Sequence, residues 1–146
     1  MISYSARFEP DEEKQDGGFT VTFLDLPSVI TQGDNEPHAR AMALDALLLL
    51  LKYQIANGAT IPRPRKHRGP ELRSIELPAL ASAKLELYWA WQASGLSKSE
   101  FARRINSPKA NIDRLFSLSH HSRWDIIEAA FAALGHRLDI QIRPAA

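Results

Sequence analysis

Apolar and polar residues alternate from the first residues of the chain. Ile2, Tyr4, Ala6 and Phe8 interleave with Ser3, Ser5, Arg7 and Glu9, the period of a strand with one buried face. Residues 10–18 are polar and acidic and end in Gly17-Gly18, a turn signal. Phe19, Val21 and Phe23 alternate with Thr20 and Thr22, so the chain returns as the second strand of a hairpin. After Pro27, residues 29–32 make a short third strand before Gly33. Asp34-Asn35-Glu36-Pro37 then reads as a helix start, because an Asx cap, a first-turn carboxylate and an early proline all suit free N–H groups. The helix runs to about Ala56, and Asn57-Gly58 supplies its left-handed stop. Ala39, Ala43, Leu47 and Leu50 or Leu51 trace one face. Residues 47–51 are apolar all round, so they need cover on more than one side. A sheet plus a partner or second subunit provides it; so does deep burial within the monomer.

Residues 60–70 carry Pro62, Pro64 and Pro70 with Arg63, Arg65, Lys66 and Arg68, the clearest boundary in the chain. Residues 72–77 are β-like and can return to the first sheet as a fourth strand. From Ala79 the pattern is helical, with Leu80, Leu87, Tyr88 and Trp91 near one face and Gly95 at the end. The expected organisation is therefore residues 1–78 and 79–146, joined through the Pro/Arg-rich segment 60–70.

The strongest local signal is at 96–116. Ser97-Lys98-Ser99-Glu100 is a capping box, in which Ser97 takes the N–H of Glu100 and Glu100 returns to the N–H of Ser97. Phe101, Ala102 and Ile105 face inward on the helix it starts. Ser107-Pro108 opens another helix, serine as cap and proline first, with Ile112, Leu115 and Phe116 inward. Lys109, Ala110, Asn111, Asp113 and Arg114 are left outward. Two short helices with a basic and amide-bearing free face describe a DNA-reading helix-turn-helix, or else a solvated helical hairpin. In the first case Arg114 and Lys109 meet phosphate or guanine, Asn111 pairs with adenine, and Arg103 and Arg104 touch the backbone. Ser97, Lys98 and Ser107 complete the expected contact set. Ser122 to Asp125 resembles another capping box, opening a helix that buries Trp124, Ile127, Phe131 and Leu134. Leu138, Ile140 and Ile142 then alternate with polar residues as a last strand. It needs an edge to pair with. Pairing with a second subunit is favoured over return to the N-terminal sheet. Further association of the front domains makes a tetramer.

Charge supports two jobs on one chain. The net charge is +1, yet residues 1–60 hold four Lys/Arg against nine Asp/Glu, and residues 61–146 hold fourteen against eight. The front suits a basic partner and the rear an anionic polymer. There is no cysteine, which removes disulfides and thiolate chemistry. No signal-peptide pattern opens the chain, and the longest apolar stretch, 46–51, is far below the roughly 20 residues a bilayer span needs. Glu9, Asp11, Asp25, Asp34 and Asp45 are the candidate carboxylates for a metal-dependent nuclease, but Asp34 reads as a cap and Asp25 as a loop residue. His120-His121 reads as a loop pair near DNA, and His38, His67 and His136 as surface residues. No enzymatic chemistry, metal or cofactor is expected, and the cytoplasm is the expected location.

Taken together these residues resemble the HicB antitoxin family. The match runs through Tyr4-Ser-Ala-Arg-Phe8, the stretch from Gly18 to Asp25-Leu-Pro27, Thr31-Gln-Gly-Asp34 and Gly58-Ala-Thr-Ile-Pro62. It resumes at 95–104 and 132–138, and departs at Ser28-Val29, where members often carry glycine and a small residue. The resemblance implies an α+β chain with a partly degenerate ribonuclease-H-like α/β domain in front. That domain binds a small basic mRNA-cleaving toxin of the HicA type, for which Glu9, Asp11, Asp25 and Asp34 are the candidate contacts. It implies a rear domain that represses the operon promoter. The alternative is a stand-alone repressor whose front domain senses a ligand or oligomerises.

Overall fold

The structure, a computed structural model, describes residues 1–13 and 17–145. The middle of the expected acidic turn, 14–16, lies outside the described residues. Among the described residues the chain is α+β, with a four-stranded antiparallel sheet and five helices. It divides into two compact units, Met1–Ser82 and Ala83–Ala146.

The first unit begins with β1 (Ser3–Pro10) and β2 (Phe19–Phe23), paired with Ala6 opposite Phe23 and Pro10 opposite Phe19. The edge strand β3 (Ile30–Gly33) pairs with β2, and β4 (Leu72–Glu76) pairs with β1, giving the order β3-β2-β1-β4. The alternation seen in the sequence becomes two faces. Tyr4, Ala6, Phe8, Val21, Phe23 and Ile75 are buried under α1 (Glu36–Ala56), which lies across β2, β3 and β4. Ala39, Ala43, Leu47, Leu51 and Ile55 are the buried side of α1; each fully buried leucine there stabilises by about 1.5–3 kcal/mol. Cover on a second side is not found for the whole run 47–51, because Leu49 is 71% exposed.

The helix cap is Asn35, whose side chain accepts the N–H of His38 at 2.9 Å. Asp34, read as the cap from sequence, instead turns to His38, with Oδ2 3.5 Å from Nδ1. Only Asp34 and Asn35 separate β3 from α1, and the approach is close. A Cβ at Gly33 would lie 2.3 Å from the Ala39 nitrogen and 2.4 Å from its Cα.

The Pro/Arg-rich segment is not a free tether. Tyr4 Oη donates to the Pro62 carbonyl at 2.8 Å, and Ile61 is buried. The Arg65 N–H donates to Asp25 Oδ2 at 2.9 Å, and His67 Nε2 lies 3.0 Å from Oδ1. Asp25 is thus fastened to residues 65 and 67 and belongs to the packing of the first unit.

Helix α2 (Ala79–Ser94) contains the division between the units. The second unit continues with α3 (Lys98–Arg104), α4 (Lys109–Phe116) and α5 (Trp124–Ala133). Its core includes an aromatic cluster. Phe116 stacks on Phe101 at 6.2 Å and meets Tyr88 edge-on at 5.5 Å and Trp91 at 5.1 Å. Two expected caps are replaced. The cap position of α4 is Pro108, not Ser107, and that of α5 is Arg123, not Ser122; neither makes a side-chain cap bond. Both serines have other partners, described below. Trp124, expected inside, is exposed, whereas Ile127, Ala130 and Phe131 are buried. Residues 136–145 form no regular element, and Ile140 and Ile142 are exposed.

Gly33→Ala is expected to lose about 1–3 kcal/mol of stability, because overpacking must push α1 off the sheet. Chemical denaturation of the variant beside Gly58→Ala, where nothing crowds the added Cβ but φ is +65°, separates crowding from backbone conformation.

Candidate functional site

The strand register decides which front carboxylates meet. Pro10, Phe19 and Gly33 lie side by side across β1, β2 and β3. Glu9, Asp11 and Asp34 flank those three positions and therefore share one end of the sheet. Glu9 and Asp34 are exposed. Asp11 takes the N–H of Glu13 on Oδ1 at 3.2 Å, which adds Glu13 to this end. Asp25 does not join them. It follows the other end of β2, where Phe23 pairs with Ala6, and its side chain is only 8% exposed. Burial pushes its carboxyl pKa up, but the Arg65 N–H and the His67 ring outweigh that and hold it below the usual carboxylate value. Asp45 is exposed on α1, and among the described residues no group of three or more His, Cys, Asp or Glu could hold a metal ion. Glu36 ties the start of α1 to β4 through Arg73 Nε at 2.9 Å. Arg73, first, and Arg40 draw its pKa down against desolvation.

The rear candidates fall into two groups. Arg103 and Arg104 on α3 and Lys109 and Ala110 on α4 are exposed, and no carboxylate neutralises the three cations among the described residues. The others are engaged. Ser97 Oγ accepts the N–H of Glu100 at 3.1 Å, as the capping box requires, while the Glu100 carboxylate takes the Ser97 hydroxyl at 3.3 Å rather than its N–H. Lys98 Nζ meets Asp113 Oδ1 at 2.7 Å and bridges α3 to α4. Asn111 Nδ2 donates to Ser107 Oγ at 2.8 Å, and Arg114 Nη1 donates to Asn111 Oδ1 at 2.9 Å. Ser107, Asn111 and Arg114 thus form a chain along one side of α4. The turn before it carries Asn106 at φ +52°, left-handed backbone that asparagine tolerates. A groove of about 630 Å³ opens beside this chain, lined by Arg114, His120, His121 and Arg123.

Sequence reasoning missed one residue here. Lys84, on α2, has no exposed surface. Its Nζ lies 2.9, 2.8 and 2.6 Å from the carbonyl oxygens of Arg114, Ser117 and His120, and 2.8 Å from Ser122 Oγ. The last carbonyls of a helix lack intrahelical donors and carry partial negative charge; an ammonium there answers both. Burial pulls the pKa of Lys84 down to about 8. The available signal was a single cation within the otherwise largely apolar run 80–91.

Comparison with known proteins fits this arrangement to a class. A family model described as the HicB-like antitoxin of bacterial toxin-antitoxin systems matches residues 3–86. The chain belongs to that family. It is 35% identical over 125 residues to Antitoxin HicB of Escherichia coli strain K12, covering 86% of this chain and 90% of the relative. It is 33% identical over 142 residues to Antitoxin HicB 1 of Photorhabdus laumondii, covering 97% and 87%. Antitoxin HicB of Pseudomonas fluorescens is 29% identical over 144 residues, covering 99% and 97%. Among the described residues no helix is long and apolar enough to cross a membrane.

Both buried charges have measurable consequences. Asp25 has a depressed folded pKa, so its contribution is complete above the unfolded value of about 3.9 and disappears as pH falls through the folded value. Asp25→Asn should therefore flatten the acid limb of a stability profile below about pH 4. Lys84 has the opposite linkage. Its folded pKa lies below the unfolded value of about 10.4, so the unfolded chain binds more protons between the two and stability rises with pH across that window. Lys84→Met should abolish that rise. Near pH 7 it should destabilise the chain by about 1–3 kcal/mol, because buried carbonyls are left unanswered. Denaturant titration beside the wild type, from pH 7 downward for Asp25→Asn and from pH 7 to 10 for Lys84→Met, measures each effect.

Proposed function

We propose that this chain neutralises a small basic mRNA-cleaving toxin of the HicA type with its front unit and represses its own operon by binding operator DNA with its rear unit. The observation that carries the DNA half is the un-neutralised cationic side of α3 and α4. Arg103, Arg104 and Lys109 are all solvent-facing, over helices whose other sides bury Phe101, Ala102, Ile112, Leu115 and Phe116. Read as a helix-turn-helix, α4 enters the major groove with its positive end and Lys109 toward phosphate. Arg103 and Arg104 lie on the flanking backbone. Arg114, steadied by Asn111, reads guanine, the contact for which a planar fork is best suited. Leu138, Ile140 and Ile142 pair with the same segment of a second copy, and the resulting two-fold matches half-sites about one helical turn apart.

The toxin half rests on the family and on charge. Glu9, Asp11 and Asp34 at one end of the sheet offer a basic protein an anionic edge. Asp25, held by Arg65 and His67, positions the segment around that sheet rather than meeting the toxin. One long helix on a hairpin-built sheet supports reading the front unit as the partly degenerate ribonuclease-H-like fold, used for binding and not for cleavage. The protein acts in the cytoplasm, where operator and mRNA both are.

Arg104→Ala and Lys109→Ala should each reduce the log–log salt slope of operator binding by about 1 and leave toxin neutralisation intact. Glu9→Lys with Asp34→Lys should do the reverse, which growth on co-expression with the toxin reports. Indifference of the wild-type protein to duplex DNA at low ionic strength would refute the DNA half; neutralisation undisturbed by the paired lysines would refute the assigned toxin edge.

A further inference from the structure

Five of the fourteen Lys/Arg that follow residue 60 lie in the first unit, not the second. Arg73 is paired with Glu36. The other four, Arg63, Arg65, Lys66 and Arg68, fall within six residues and are exposed. Among the described residues no carboxylate neutralises Arg65, Lys66 or Arg68. Neither toxin binding nor the helix-turn-helix reading uses them. Their backbone is nevertheless held in place. Tyr4 Oη grips the Pro62 carbonyl, and Asp25 grips the Arg65 N–H and the His67 ring. Asp25 thus engages the main chain of Arg65 and leaves its guanidinium outside. Pro62, Pro64 and Pro70 stiffen the rest.

We propose that residues 63–68 are a nucleic-acid contact of the front unit, a preformed cationic rail for the phosphodiester backbone. The occupant follows from what the segment offers and what it lacks. Residues 62–71 hold four cations, a single carboxylate, Glu71, and no large apolar side chain. Protein interfaces need an apolar core from which charged residues are depleted, and nothing here supplies one. A phosphate backbone needs only charge and donors. Three of the four cations are arginines, whose planar fork matches phosphate oxygens. Arg65 to Arg68 spans at most roughly 10 Å, about the rise of three nucleotides along one strand.

The fastening matters as much as the charge. A loose basic tether loses conformational freedom on binding, whereas one already held at residues 62, 65 and 67 loses less. The anchor also lies well placed. Asp25 follows the end of β2 away from Glu9, Asp11 and Asp34. Strand β2 has five residues and is roughly 17 Å long, more than a Debye length at physiological salt. A polyanion on the rail is therefore screened from the acidic end of the sheet. Duplex DNA and single-stranded RNA share this backbone chemistry, and the contact requires none of Arg103, Arg104 and Lys109.

The test is lysine footprinting of the full chain at low salt. Acetylation rates of individual lysines are read by mass spectrometry, alone and with excess mixed-sequence duplex DNA or single-stranded RNA. Lys66 reports the rail, Lys109 the rear unit, and Lys52, exposed on α1, is the reference. Lys66 should be slowed at least about fivefold while Lys52 is unchanged. Slowing by duplex alone assigns the rail to DNA, and by RNA alone to RNA; slowing by both marks a backbone contact indifferent to the sugar. Combining Arg65→Ala, Lys66→Ala and Arg68→Ala keeps the residue-65 N–H and the His67 ring that Asp25 holds. It should lower the log–log salt slope for the protecting nucleic acid by about 2–3, with circular dichroism establishing the fold. Full reactivity of Lys66 beside both nucleic acids, or an unchanged slope in the triple variant, would overturn the proposal. Protection of Lys66 with Lys109 still reactive would uphold the rail and count against the rear-unit reading; the reverse pattern would sink the rail alone.

Discussion

The front unit is organised by a place where two backbones nearly touch. Gly33 ends β3 and Ala39 sits in the first turns of α1, with no room for a side chain between them. This contact sets how closely α1 lies against β3. The Asn35 cap and the two-residue connection follow from it. Glu36 is placed to reach Arg73 on β4, so the helix start is referenced to both edges of the sheet. The end at which Glu9, Asp11 and Asp34 gather is the same end. A sheet that slid against its helix would scatter those carboxylates, and so the acidic end of the sheet inherits its shape from the absence of one methyl group.

The rear unit solves a different problem. Its helices are short, and isolated helices of that length are marginal in water. Aromatic packing of Phe101, Phe116, Tyr88 and Trp91 supplies the missing cohesion. Because the apolar sides are consumed inside, the cations are left outside. The Lys98–Asp113 bridge links the two helices without engaging Arg103, Arg104 or Lys109.

Much of this was legible in the sequence because it is periodic. Alternation marked the first two strands of the sheet, including their buried faces, whereas the short third strand and the return of residues 72–77 as β4 were read from their neighbours and composition. The start and end of α1 and the inward set of α4 followed from caps and spacing. What failed was choice among near-equivalent polar neighbours. Asp34 and Asn35 both suit a cap; the backbone places only Asn35 within reach of the His38 N–H. Ser107 and Ser122 carry a capping pattern, yet Asn111 and Lys84 claim their hydroxyls. Asp25 looked like a loop carboxylate because its partners, Arg65 and His67, lie 40 and 42 residues away. Local pattern carries no record of such distances. The same limit explains residues 47–51, where a uniformly apolar run conceals which leucine the sheet leaves uncovered.

The ammonium of Lys84 joins α2 to the far end of α4 through the carbonyls of Arg114 and Ser117, so what it asks of α4 is backbone; the one side chain it holds, Ser122, lies in the loop beyond. Exposed side chains of α4 can therefore be exchanged without disturbing the lysine that anchors its end. A graft of residues 96–116 into a foreign scaffold is another matter. Stripped of that lysine it would arrive with its carboxyl end unmoored, which makes the transplantable module the stretch from α2 through the loop at Ser122 rather than the two short helices by themselves.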